Sequence, residues 1–202
     1  MTEQEKRKVF SAGEKDFRCA VEYMKQRKFA EGGKYLRAAA EQGHAEAQHN
    51  LAVMYSRGDG VAESRTEAAR WYRAAAGQGF AAAQYNLGTL YENGDGVPQD
   101  KSEAAKWYRA AAEQGDEDAQ FNLAMLYESG NGVPQDKAKA AEWYRAAAER
   151  GDAEAQFHLA LLYVRGEGVE QNLIKAYDWA KTAAEAGYGK AKLLRWEIAA
   201  AL

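Results

Sequence analysis

Three histidines, one cysteine and a recurring Gly-x-Gly-Val loop are the residues of this 202-residue chain whose types could do chemistry. His44, His49 and His158 lie in no His-Glu-x-x-His pattern and show no metal-ligand spacing, so no metal site is expected. Cys19 stands alone in the first helical stretch. A nucleophile needs a base beside it, and a lone thiol among helical apolar residues reads as a small buried side chain. A single cysteine also excludes an internal disulfide and a multi-cysteine metal site. The loop Gly94-Asp95-Gly96-Val97 invites comparison with phosphate and calcium sites. A dinucleotide fingerprint needs a preceding strand and a third glycine, and a calcium loop needs acidic ligands at its first, third and fifth positions. Glu92-Asn93-Gly94-Asp95-Gly96 meets neither requirement, and recurrence in every unit marks the loop as a structural turn. The carboxylates sit on helix faces or in loops. No active site and no cofactor are expected, and the chain reads as a non-enzyme.

The elements that hold these residues repeat. Trp71, Trp107, Trp143 and Trp179 are spaced by 36 residues, as are Tyr55, Tyr91, Tyr127 and Tyr163, and Leu51, Leu87, Leu123 and Leu159. Gly43, Gly79, Gly115, Gly151 and Gly187 delimit four full units, 44–79, 80–115, 116–151 and 152–187. Each unit reads as two helices. Ala119, Leu123, Leu126 and Tyr127 form one buried stripe, and Ala140, Trp143, Ala147 and Ala148 form a second. Gly130-Asn131-Gly132-Val133-Pro134 breaks the chain between them, and Gly151 caps the second helix. No β-branched residues alternate with polar ones, so the chain is all-α. The alanine columns 68/104/140/176 and 75/111/147/183 let helices approach closely. One hairpin has too little apolar surface to fold alone, so neighbours stack. Truncating a column tryptophan, as in Trp107→Ala, is expected to cost about 3–5 kcal/mol.

The ends deviate. Tyr23 to Tyr35 is four residues shorter than Tyr91 to Trp107, so the unit 8–43 lacks the glycine loop. At the other end, 188–202 starts a fifth unit and stops after one helix. Arg195 replaces the column leucine there, and Trp196 and Ile198 are expected to pack back onto the last full unit. The whole of 1–202 reads as a single domain.

Composition limits the function. Lys and Arg number 27 and Asp and Glu 30, a formal net charge of -3, which lacks the basic footprint of a nucleic-acid protein. No run approaches the roughly 18 apolar residues of a membrane span. The charged opening Met1-Thr2-Glu3-Gln4-Glu5-Lys6-Arg7-Lys8 has no apolar leader core, so a cytoplasmic location is expected.

The run Ala-Gln-Tyr-Asn-Leu-Gly-x-Leu-Tyr at 83–91, then Gly94-Asp95-Gly96-Val97-Pro98-Gln99-Asp100, then Ala104-Ala105-Lys106-Trp107-Tyr108-Arg109-Ala110-Ala111, resembles the Sel1-like repeat family, relatives of tetratricopeptide repeats with a longer inter-helix loop. The shortened first unit resembles an ordinary tetratricopeptide repeat. The resemblance implies a right-handed α/α superhelical solenoid of about eleven helices that acts as an adaptor and binds a protein or peptide in its concave groove. A narrower alternative within that class is a bacterial immunity or inhibitor protein that neutralises a cognate toxin or enzyme. Some cysteine-rich relatives have been proposed to act on cell-wall-like compounds, but this chain lacks their cysteine pairs. A purely structural part of a larger assembly is a third possibility. A monomer is expected, with a homodimer the alternative.

A helical wheel places the groove. With Leu87 at zero, Tyr85 falls near 160°, Thr89 near 200° and Glu92 near 140°, opposite the buried side. In superhelices of the resembled kind that side lines the concave face. One column there is His49, Tyr85, Phe121, Phe157, and the next is Val53, Thr89, Met125, Leu161, with Glu92 and Glu128 beside them. These rings either face a partner or pack against neighbouring first helices. A third column, Asn50, Asn86, Asn122 and His158, offers donors and acceptors for a peptide backbone, or for bridges between adjacent repeats. Arg73, Arg109, Arg145 and Lys181 form a basic column on the second helices. Glu113, Glu149 and Glu185 lie four residues on, so ordinary surface ion pairs are expected there.

Overall fold

Small residues decide where these helices start, stop and touch. The computed structural model describes residues 12–202. The start of the 8–43 unit, and the opening segment on which the leader expectation falls, lie outside the described residues. Among the described residues there are eleven α-helices and no strand, an all-α repeat fold. The chain divides into two compact units, Met1–Gln99 and Asp100–Leu202.

In the first unit, α1 (Ala12–Lys25) and α2 (Phe29–Glu41) form the short hairpin, followed by α3 (Ala45–Arg57), α4 (Arg65–Gly77) and α5 (Ala81–Asn93). The α1–α2 turn is only three residues long, and Arg27 takes a left-handed φ of 58° to close it. Ser64 caps α4 by accepting the Glu67 N–H at 3.3 Å.

In the second unit, α6 (Lys101–Ala112) precedes the hairpins α7 (Glu117–Ser129) with α8 (Lys137–Glu149), and α9 (Ala153–Arg165) with α10 (Leu173–Glu185), and α11 (Gly189–Ala201) follows. Gly130 (φ 75°) ends α7 and donates its N–H to Leu126 O. Gly132, at φ 77°, does more than turn the chain. A Cβ built there would run into the Lys101 carbonyl at the start of α6, so the loop lays its backbone directly on the preceding second helix. Ser102 Oγ fastens it by donating to Gly132 O at 2.9 Å. Asp136 then caps α8 through the Lys139 N–H at 3.0 Å.

The stripe Ala119, Leu123, Leu126 and Tyr127 is buried, as are Ala140, Ala147 and Ala148. The tryptophan column is a correction. Trp71 is buried, but Trp107 and Trp143 are only half-buried, whereas Tyr108 and Tyr144, one residue on, are fully enclosed. One residue is about 100° of helix. That rotation turns Tyr144, not Trp143, toward Phe121 of its own hairpin and His158 of the next.

Two end expectations also fail. Cys19 is exposed, because the buried face of α1 is Gly13, Phe17 and Ala20, and Cys19 stands about 200° around from Phe17. Trp196 is 70% exposed, because α11 buries Ala191, Leu194 and Ile198, and Trp196 lies about 200° from Leu194. Ile198 packs inward as expected, and Leu194 is buried beside it, whereas Arg195, expected to face solvent where the column leucine is missing, is half-buried.

Tyr144→Ala should therefore lower stability by about 3–5 kcal/mol and Trp143→Ala by about 1–3 kcal/mol in urea unfolding. Equal losses, or the reverse order, would contradict this assignment of the interior.

Candidate functional site

The buried leucines fix the rotation of each first helix, and so decide what its other side presents. In the first unit, Leu51 and Leu87 point inward. His49 is half-buried, with its ring 5.5 Å from Tyr72 and 5.1 Å from Phe80. Loss of hydration pulls its pKa below the ordinary imidazole value. Burial raises the Tyr72 hydroxyl to about 12, against the opposing pull of Arg57 and Arg65. Phe80 opens α5 without a side-chain cap and packs on His49 instead. On α5, Tyr85, Asn86, Thr89 and Glu92 are half-buried. Asn86 donates to Ala82 O of its own helix at 2.9 Å, and Thr89 Oγ1 to Tyr85 O at 3.2 Å. Asn86 thus spends one of its two amide hydrogens within its own helix and, among the described residues, makes no hydrogen bond to another repeat.

The second unit shows the same face in a different chemistry. Phe121 lies 5.7 Å from Tyr144 and 5.8 Å from His158, and Phe157 lies 5.6 Å from His158 and 5.2 Å from Tyr188. The rings pack between helices and are half-buried, the second of the two arrangements expected for them. Tyr144 donates its hydroxyl to Glu128 Oε2 at 2.6 Å, and His158 stacks on Tyr144 with Nδ1 3.6 Å from the same oxygen. His158, then Tyr144, hold the Glu128 carboxyl below its ordinary pKa, outweighing burial, which acts the other way. Burial, followed by the Glu128 bond and charge, drives the Tyr144 hydroxyl upward. Leu161 is half-buried and Met125 is 45% exposed. Asn122 is half-buried, and no hydrogen bond among the described residues uses its amide.

The basic column is a further correction. Arg73 donates to the Tyr91 hydroxyl at 2.9 Å, Arg109 to Tyr127 at 2.5 Å and Arg145 to Tyr163 at 3.0 Å, each 18 residues on, and Arg37 repeats the bond to Tyr55. The arginines staple a second helix to the following first helix, a bond that a wheel of one helix does not reveal. Also missed were the glutamines. Gln48, Gln84, Gln120 and Gln156 are buried, and each donates to an alanine carbonyl eight residues back, at 3.0, 3.2, 3.1 and 3.0 Å. Their 36-residue spacing was the available signal.

Among the described residues, no group of three or more His, Cys, Asp or Glu side chains is placed to hold a metal ion. No described helix is long and apolar enough to cross a membrane. The Sel1 repeat pattern matches residues 22–44, 45–80, 81–116, 117–152 and 153–188. This chain belongs to the Sel1 repeat family. The crystal structure of c5321, a protective antigen of uropathogenic Escherichia coli strains with an SLR fold, is 35% identical over 91% of this chain at a TM-score of 0.87. This chain spans 40% of that protein's chain. A Sel1 repeat protein of Oxalobacter formigenes is 36% identical at a TM-score of 0.84, with 89% of this chain and 74% of that one covered. Immunity protein Pa5087 of Pseudomonas aeruginosa shares the fold at 23% identity and a TM-score of 0.51, covering 93% of this chain and 71% of its own. No curated protein matches. Sel1 repeat proteins are protein-interaction scaffolds, and the family is generally non-catalytic.

The Glu128 cluster has a pH signature. A carboxyl held below its ordinary value of 4.5 adds stability above that pH and loses it as pH falls through the depressed value. Glu128→Gln should lower the melting temperature near neutral pH, and the gap to the parent should close on acidification below 4.5. A gap that stays constant with pH would count against the assignment.

Proposed function

We propose that this chain is a non-catalytic adaptor that holds a protein or peptide partner on the outward side of its first helices. The observation that carries the reading is Met125, 45% exposed at the middle of α7 beside the packed Phe121 ring. A methionine there gives an adaptable apolar contact over a rigid aromatic floor, and the Asn122 amide one turn away offers both donor and acceptor to a peptide backbone. Phe157, His158 and Leu161 extend the face on α9, with Glu128 as its anchored carboxylate. In the first unit the corresponding face is His49, Asn50 and Val53 on α3, and Tyr85, Asn86, Thr89 and Glu92 on α5.

The test is site-specific photo-cross-linking in extract of the native cell. A photoreactive residue at position 125 should give a discrete protein adduct that the same residue at the exposed position 106 does not give. A single enzyme as that adduct narrows the reading to an inhibitor of that enzyme. No adduct, or identical adducts from both positions, would sink the proposal.

A further inference from the structure

A cavity of about 310 Å³ opens in the first unit, walled by Val21, Met24, Leu36, Asn50, Val53 and Met54. Its origin lies in what three places of the repeat hold. In the second unit, Tyr144 fills the space between its hairpin and the next first helix, bonded to Glu128 and stacked on His158. Counting back along the repeat, with four residues fewer in the short hairpin, those three places are Leu36, Met24 and Asn50. The ring, the carboxylate and the imidazole are thus replaced by a leucine, a thioether and an amide, and the space stays open.

The neighbouring small residues agree. Gly32-Gly33 stand where the 116–151 repeat has Ala140-Ala141. A Cβ at Gly32 would lie 3.0 Å from Met24 Cε, and one at Gly33 2.9 Å from Met54 Cε, so both methionine chains have moved into the space the alanine methyls take elsewhere. The resulting walls are mainly apolar and soft, although Lys25 and Asp59 also line the space, and no hydrogen bond among the described residues uses the Asn50 amide. Phe29 stands at the mouth, 40% exposed.

We propose that this cavity receives an aromatic side chain of a partner polypeptide, with the partner's backbone amide held by Asn50. The ring takes the place that Tyr144 fills in its own repeat, and the two methionine sulfurs meet it edge-on or face-on, a favourable contact for either. The inference rests on the adaptor reading and deepens it, since Asn50 and Val53 belong to the same first-helix face.

Methyl NMR of the full chain, ¹³C-labelled at its four methionines, tests it with N-acetylphenylalaninamide as probe. The Met24 and Met54 ε-methyl resonances should shift saturably, with Met125 unmoved. Leu36→Tyr, which restores the ring from within, should weaken the apparent affinity by roughly tenfold or more. Val53→Phe gives a second plug should that variant fold poorly. Shifts that never saturate, shifts shared by Met125, or shifts that survive both plugs would overturn the proposal. So would Met24 and Met54 resonances that move with protein concentration alone, which would make a second copy the occupant. The two readings fail separately. Silent Met24 and Met54 beside an intact position-125 adduct remove only the cavity, whereas saturating shifts without that adduct remove the α7 face.

Discussion

The closeness with which an alanine-lined second helix lies against the next first helix is the constraint on which the other features depend. Ala147 and Ala148 near the end of α8 are buried almost completely, and Gln156 of α9 reaches back across that contact to the Ala148 carbonyl at 3.0 Å. A larger side chain would push the two backbones apart and break that bond. The bond between Arg145 and the Tyr163 hydroxyl and the stack of Tyr144 on His158 are then fixed in the same register. The cluster of Tyr144, Glu128 and His158 depends on its three helices being held at one spacing, which keeps the Tyr144 hydroxyl on Glu128 and the His158 ring stacked on Tyr144.

Much of this was legible in the sequence. Glycine and proline breaks set the helix ends, and the leucine column set their rotation, because both act locally or within one helix. Contacts among three helices were not legible. Tyr144, Glu128 and His158 sit on α8, α7 and α9, and a wheel drawn for any one helix does not show which residues of the other two its side chain meets. The tryptophans misled for another reason. Two adjacent aromatic residues differ by about 100° of rotation, and Tyr144, four residues from both Ala140 and Ala148, is the one centred on the buried alanines. Cys19 and Trp196 failed differently, since reading them as buried assumed that α1 and α11 were covered on all sides like the helices between them.

The face proposed for a partner follows from the same constraint. Rings that fill the gaps between first helices cannot also project freely, so Phe121 and Phe157 form a floor, and Met125 rises from it. Where the repeat carries a tyrosine, that floor is closed and partly charged. Where it carries Leu36, it opens into an apolar cavity. One architecture thus presents two surface chemistries, which accords with the interaction role of Sel1 repeat proteins.

The most direct test of the central claim is the unfolding free energy of Ala147→Leu, measured by urea denaturation followed by circular dichroism. Overpacking at a helix contact this close should cost about 1–3 kcal/mol. An unchanged or raised stability would mean that the alanine column faces spare room, and that some other contact sets the spacing of the repeats.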